Sequence, residues 1–452
     1  MEPRRGEVVE GNFLDFNVLL APSSQATGTR RISSWFLQLA LLASALMVAL
    51  WAQGCAKKSP LGGGARELSA FQASRAIRSG ALGPSRLRWS KNLAPEVAGP
   101  YTPVEHSSVE LHPQSGRLYV GTTYGKFYAF DASGALAFEA VMDAGIEAQA
   151  AVSPDGQEVY IGTDSGMVSA FRTSDGKLLW KRRVPGAVRQ RPAIQGDALY
   201  VITAEESVAA LSRAKGELLW VYRRELPEGF SIAAHAGLAL HDDRIFTGFT
   251  DGVVVALRAS DGQMVWERDT RDDSESGSEE SSQRVADVDT TPLVVGDSVY
   301  VASFAQGLYA LDISNGSVEW RDARMTGVVG IEALGSDVVL ASAEQGIVRY
   351  ALDRREVVWA RPLQRGSPSP PCVVRQGGWI LIGESRGSLL SLDSRNGREI
   401  GRVTLKYGFS SQPKESEGMA AVLSNGGLLM VLSTDVKRPQ SQPTPYREGW
   451  SH

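Results

Sequence analysis

One unit of about forty residues recurs along the middle of this chain, and it restricts the fold before any chemistry is considered. Each copy is a short apolar strand, a small residue, a turn, a second strand, another turn and then tryptophan. One copy runs Val159-Tyr160-Ile161-Gly162, then Gly166, then Val168-Ser169-Ala170-Phe171, then Asp175-Gly176 and Trp180. The next passes through Leu199-Tyr200-Val201, Val208-Ala209-Ala210-Leu211 and Lys215-Gly216 to Trp220, and later copies end at Trp266 and Trp320. A repeat of this length built only of short strands marks a β-propeller, in which each copy is one blade. A propeller grows by blades, so 452 residues need not imply several domains.

The register is set by the closing positions Phe138, Trp180, Trp220, Trp266, Trp320, Trp359 and Gly401. An eighth copy, Ala420-Ala421-Val422-Leu423 and Leu428 to Leu432, lacks its closing strand. A strand of the right kind stands at the other end, Arg86-Leu87-Arg88-Trp89. Pairing the two would remove exposed edges. The expected fold is therefore all-β, an eight-bladed propeller of four-stranded antiparallel blades, closed by an N-terminal strand on the C-terminal blade. The pairs at 175–176, 261–262, 315–316 and 396–397 suggest hairpin turns of the primed types. Small residues (Gly121, Gly162, Thr203, Gly248, Ser303, Ser342, Gly383) recur at the other turn, as if strands crowd there. The tryptophans are expected to cover junctions between blades.

Four segments follow: a leader at 1–55, a flexible tether at 56–85, the propeller at 86–434 and a polar tail at 435–452. In the leader, Arg30-Arg31 precede an apolar stretch from Ile32 to Ala52, and Gly54-Cys55 follow. That order suits a lipoprotein signal cleaved before a lipidated Cys55. Ala52 and Gln53 depart from the usual lipobox, and an uncleaved membrane-spanning helix is the rival reading. Ala56 after the cysteine favours outer-membrane sorting. The tether begins Lys57-Lys58-Ser59-Pro60 and holds Gly62-Gly63-Gly64. Cys372 opens an apolar run and reads as a core thiol, so no disulfide is expected.

The chain is 43% hydrophobic and 22% charged, with a net charge of −4, and carries no basic footprint for nucleic acid. The acidic, serine-rich run at 271–280 reads as a solvated loop. Gly383-Glu384-Ser385-Arg386-Gly387 fits a hydrolase pattern that works only on a strand-to-helix elbow. It aligns instead with the strand-to-strand turns at Gly121, Gly162 and Gly248. His106, His112, His235, His241 and His452 show no metal-site spacing. Catalytic residues, a metal and a cofactor are not expected.

The repeat, with Tyr309-Ala310-Leu311-Asp312 before a turn and then tryptophan, resembles that of pyrroloquinoline-quinone dehydrogenases. A narrower resemblance lies at Asp287-Val288-Asp289-Thr290-Thr291-Pro292, followed by Leu293-Val294-Val295, Gly307, Gly316 and Trp320. These residues look like the signature of the BamB family, the lipoproteins of the outer-membrane β-barrel assembly machine. The resemblance covers residues 86 to 434. It implies a non-enzymatic scaffold on the periplasmic face of the outer membrane. It also implies docking on the POTRA domains of a BamA-like insertase, contact with other Bam components, and a monomer outside the complex. Docking residues carried over from the family are Asp287 and Asp289, with Phe230 and Ile232 from a second patch. Ala233 stands where that patch has arginine; either the contact differs in this lineage or Arg223 and Arg224 substitute. Read from the residues alone, Asp287 and Asp289 lie on an exposed loop, where they could equally serve as Asx turns. Two other functions stay open: a quinone-dependent dehydrogenase, for which no Cys–Cys pair or calcium set exists, and a scaffold of another envelope complex.

Overall fold

The computed structural model describes residues 83–94, 104–224, 236–271 and 287–434. The leader with Cys55, the acidic run from 272 and the C-terminal tail lie outside these residues. Among the described residues there is no α-helix; every regular element is a strand. The strands form eight four-stranded antiparallel sheets. Seven blades are continuous in sequence: 110–141, 151–183, 193–223, 239–269, 293–322, 328–361 and 372–404. The eighth takes three strands from 414–433 and its outermost strand from Arg86–Asn92, which pairs antiparallel with Leu428–Ser433. Innermost strands of neighbouring blades lie side by side, and that of blade eight lies against that of blade one.

Apolar side chains alternate on both faces of the middle strands, so each blade is a buried layer between two others. The core accordingly divides into eight clusters, one at each blade junction. Blades two and three share Tyr160, Val168, Trp180, Leu199 and Leu211. Blades eight and one share Leu429, Val431, Leu118 and Val120, which closes the ring with the same chemistry as any other junction.

The tryptophans occupy the junctions as expected. Trp180 donates its indole N–H to the Arg213 carbonyl of the next blade at 2.6 Å, and its ring lies against Gly216. Trp220, Trp266 and Trp359 repeat the arrangement on Ala259, Ile313 and Ser394. Within their blades Trp180, Trp220, Trp266 and Trp320 also meet an aromatic residue of the second strand, as Tyr160 does Trp180 at 5.9 Å between centroids.

Two expectations about turns need correction. The Asp-Gly and Asn-Gly turns are not two-residue primed turns. At 172–177 the Gly176 N–H reaches the Arg172 carbonyl at 2.9 Å, and the Lys177 N–H reaches Asp175 Oδ1 at 3.0 Å. Only the glycine has positive φ (71° at Gly176). The loop is a longer one closed by a single left-handed residue, and a bulge between Ala170 and Phe171 accompanies it. Small residues at the other turn are not needed by crowded strands. A Cβ on Gly121, Gly162 or Gly248 would fall 2.2, 2.2 or 2.3 Å from Ile146, Val188 or Val288. An apolar residue from the loop joining two blades plugs each of these sites.

Candidate docking site

The signature hexapeptide is the end of the loop that joins blades four and five. Most of it serves the fold. Val288 is the plug described above: its side chain is buried against Gly248, and its N–H reaches the Phe249 carbonyl at 3.2 Å. The Asp287 carbonyl accepts the Phe304 N–H at 2.8 Å. Thr290 accepts the Ala302 N–H at 2.9 Å, and Thr291 accepts the Gly237 N–H at 3.1 Å. Pro292 then leads into Leu293–Val295, where its missing N–H costs the ladder nothing.

Anchoring Val288 decides what its neighbours do. Asp287 is only 1% exposed, so the exposed acidic pair read from the sequence is wrong for this residue. Asp289 is partly exposed, yet its Oδ1 is buried and accepts no hydrogen bond. Burial, then the neighbouring Asp287 and Glu206 carboxylates, push the Asp289 carboxyl up to about 8. Glu206 belongs to the middle turn of blade three, has a φ of 51° and is 3% exposed. Its Oε1 accepts the Thr250 hydroxyl at 2.7 Å, and burial raises its carboxyl above the usual range.

The guanidinium of Arg224, beside this group, is already committed. Arg224 bonds Asp251 at 2.7 Å and Glu267 at 3.1 Å, and its guanidinium lies 5.5 Å from the centre of the Phe249 ring. It is therefore no free substitute for the family's arginine, whereas Arg223 is exposed. Phe230 and Ile232 lie outside the described residues. The hydrogen bond from Gly237 to Thr291 ties the segment that follows them to the hexapeptide. Sequence reasoning missed Glu206, Thr250 and Asp251. The one available signal was Glu205-Glu206, an acidic pair in a middle turn.

Such a group of carboxylates with one buried, unmatched oxygen can accept a cation from outside. A guanidinium fits it best, because its planar N–H groups can serve two carboxylates together. Among the described residues no group of His, Cys, Asp and Glu is arranged to hold a metal ion. The hydrolase-like pentapeptide is a strand-to-strand turn: Ser385 Oγ accepts the Ser367 N–H at 2.9 Å, and Glu384 is buried beside Arg402 at 3.2 Å.

The family model described as "Outer membrane protein assembly factor BamB" matches residues 142–361 and 344–438, well over half of the chain. The chain belongs to the BamB family. Curated BamB proteins of Shewanella oneidensis and Escherichia coli are each 27% identical to it, over 293 and 285 residues. The first alignment covers 64% of this chain and 72% of the relative, the second 62% and 71%. The crystal structure of BamB from Moraxella catarrhalis superposes with a TM-score of 0.64 at 21% identity, covering 77% of this chain and 99% of that one. A quinohemoprotein alcohol dehydrogenase from Comamonas testosteroni superposes at 0.58 with 11% identity, covering 84% and 81%; that likeness shows the propeller alone. Family membership makes the chain an outer membrane protein assembly factor, a scaffold rather than an enzyme.

Proposed function

We propose that this BamB-family chain is an outer-membrane lipoprotein, anchored on the periplasmic face through Cys55, that docks on the POTRA domains of a BamA-like insertase and assists the folding and insertion of β-barrel proteins within the Bam complex. Docking is centred on Asp289, with Asp287 and Glu206 supplying negative potential behind it and Phe230 and Ile232 the apolar part of the interface. The observation that carries this reading is the buried, unmatched Oδ1 of Asp289 in a loop at the end of the ring. A buried polar atom without a partner is costly, and a partner's cation would relieve that cost.

Co-purification tests it. The tagged full chain is extracted gently from the envelope beside an Asp289→Arg variant. Asp287 is left unchanged because a buried arginine there would disturb the fold. A BamA-like barrel recovered with the parent, and lost from a variant of unchanged melting temperature, is the expected result. Recovery with both would move the interface elsewhere. Recovery of a different envelope complex would remove the functional reading.

A further inference from the structure

At the opposite end of the ring a second site is built into the mouth of the central channel. A cavity of about 340 Å³ is lined by Glu332, Cys372, Arg375, Gln412, Lys414 and Glu415, among others. These residues come from the innermost strands of blades six, seven and eight and from the segments flanking the last two. The loops joining the blades, with Asp289, lie at the other end.

The charged groups here are incompletely matched. Glu415 is engaged, since its Oε1 accepts the Gly418 N–H at 3.2 Å. The Gln412 amide N–H is held by the Pro371 carbonyl at 2.7 Å. Glu332 and Lys414, however, line the same cavity without an ion pair of 4.0 Å or less, and neither side chain makes a hydrogen bond among the described residues. Their charges still act on each other: burial raises the Glu332 carboxyl against the pull of Lys414 and Arg375, and burial lowers the Lys414 ammonium against the pull of Glu332. Cys372 is buried beside Lys414, and burial raises its thiol too far for it to be a reactive thiolate. Two opposite charges, each partly buried and held apart in a cavity, gain little from their own attraction. It becomes favourable when a guest supplies both missing partners.

We infer that this cavity binds a small zwitterion, an α-amino acid or a dipeptide, with the guest carboxylate between Lys414 and Arg375 and the guest ammonium on Glu332. A simple anion would meet Glu332, and a simple cation would meet Lys414 and Arg375. Only a guest with both charges answers all three, and about 340 Å³ has room for an amino acid or a dipeptide. The site lies on a different end of the ring from the docking loop, so it stands or falls independently of that reading.

Isothermal titration calorimetry on the full chain tests it with L-alanine, L-alanyl-L-alanine, acetate and ethylammonium. Saturable binding of one or both zwitterions is expected, with acetate and ethylammonium at least about tenfold weaker. The two zwitterions tell a free amino acid from a peptide. Lys414→Met and Glu332→Gln should each weaken binding by about tenfold or more. Arg375 is exposed, so Arg375→Ala leaves the interior untouched and should weaken binding in a chain that folds as the parent does. Asp289→Arg should bind as the parent does. No binding of either zwitterion by the parent overturns the inference, as does acetate binding equal to that of the dipeptide. Unchanged affinity in folded Lys414 and Glu332 variants overturns it too.

Discussion

At the scale of the residue, Asp289 sets stability against the proposed recognition. Its carboxyl is pushed up to about 8 in the folded chain, against about 3.9 when unfolded. Between those values the native state keeps a proton that the unfolded state gives up. Stability from this group is therefore fully present below about pH 4 and falls as pH rises toward 8. An asparagine side chain imitates the protonated acid, so Asp289→Asn should melt at a higher temperature than the parent at pH 7 and at the same temperature near pH 4. The same variant should lose the proposed partner. A lower melting temperature at pH 7 would show that Asp289 is satisfied within the chain. Asp287 and Asp289 are indistinguishable in the sequence. They differ in the fold because Val288 plugs the site above Gly248, turning one carboxylate inward and leaving the other at the edge.

At the scale of the element, the outer hairpin shows how one blade grips the next. In most blades a glycine of positive φ lies flat under the preceding tryptophan, as Gly216 lies under Trp180 and Gly262 under Trp220. A Cβ at these two glycines would come within 2.4 Å of the ring. Blade six departs from the pattern. Arg355 holds a φ of 56° at the corresponding turn, and its guanidinium lies 5.6 Å from the centre of the Trp320 ring. A non-glycine residue there costs about 1 kcal/mol, and an exposed cation–π contact returns about 0.5–1 kcal/mol. Arg355→Gly should therefore leave stability within about 1 kcal/mol of the parent. Arg355→Ala, which keeps the strain and loses the contact, should be less stable by about 0.5–1 kcal/mol. Urea denaturation of the two variants checks the ordering, and equal losses would show that the strain is negligible. Without a glycine, this turn gave no signal in the sequence beyond its spacing to Trp359.

At the scale of the whole molecule, the ring depends on a strand remote in sequence. Arg86–Asn92 completes blade eight, and Trp89 donates to the Ala132 carbonyl of blade one at 3.1 Å. A chain beginning at residue 83 should melt as cooperatively as the full chain. One beginning at residue 93 leaves Leu428–Ser433 as an open edge and removes Trp89 from its junction. Its melting temperature should fall and size-exclusion chromatography should show self-association. A monomeric, equally stable product would mean that closure contributes little. The blade number, the closing positions and the missing eighth strand were all legible in the sequence, because a repeat writes much the same local physics in most blades: apolar alternation, a small plug site, a turn and a ring to cover it. The hexapeptide likewise marked a loop at one end of the ring. Which of its carboxylates reaches the surface was decided only in three dimensions, where Glu206 arrives from blade three and Val288 takes the buried place. The channel-mouth cavity has no sequence signature at all. Glu332, Arg375 and Lys414 stand on three different blades, and only ring closure brings their charges to one cavity.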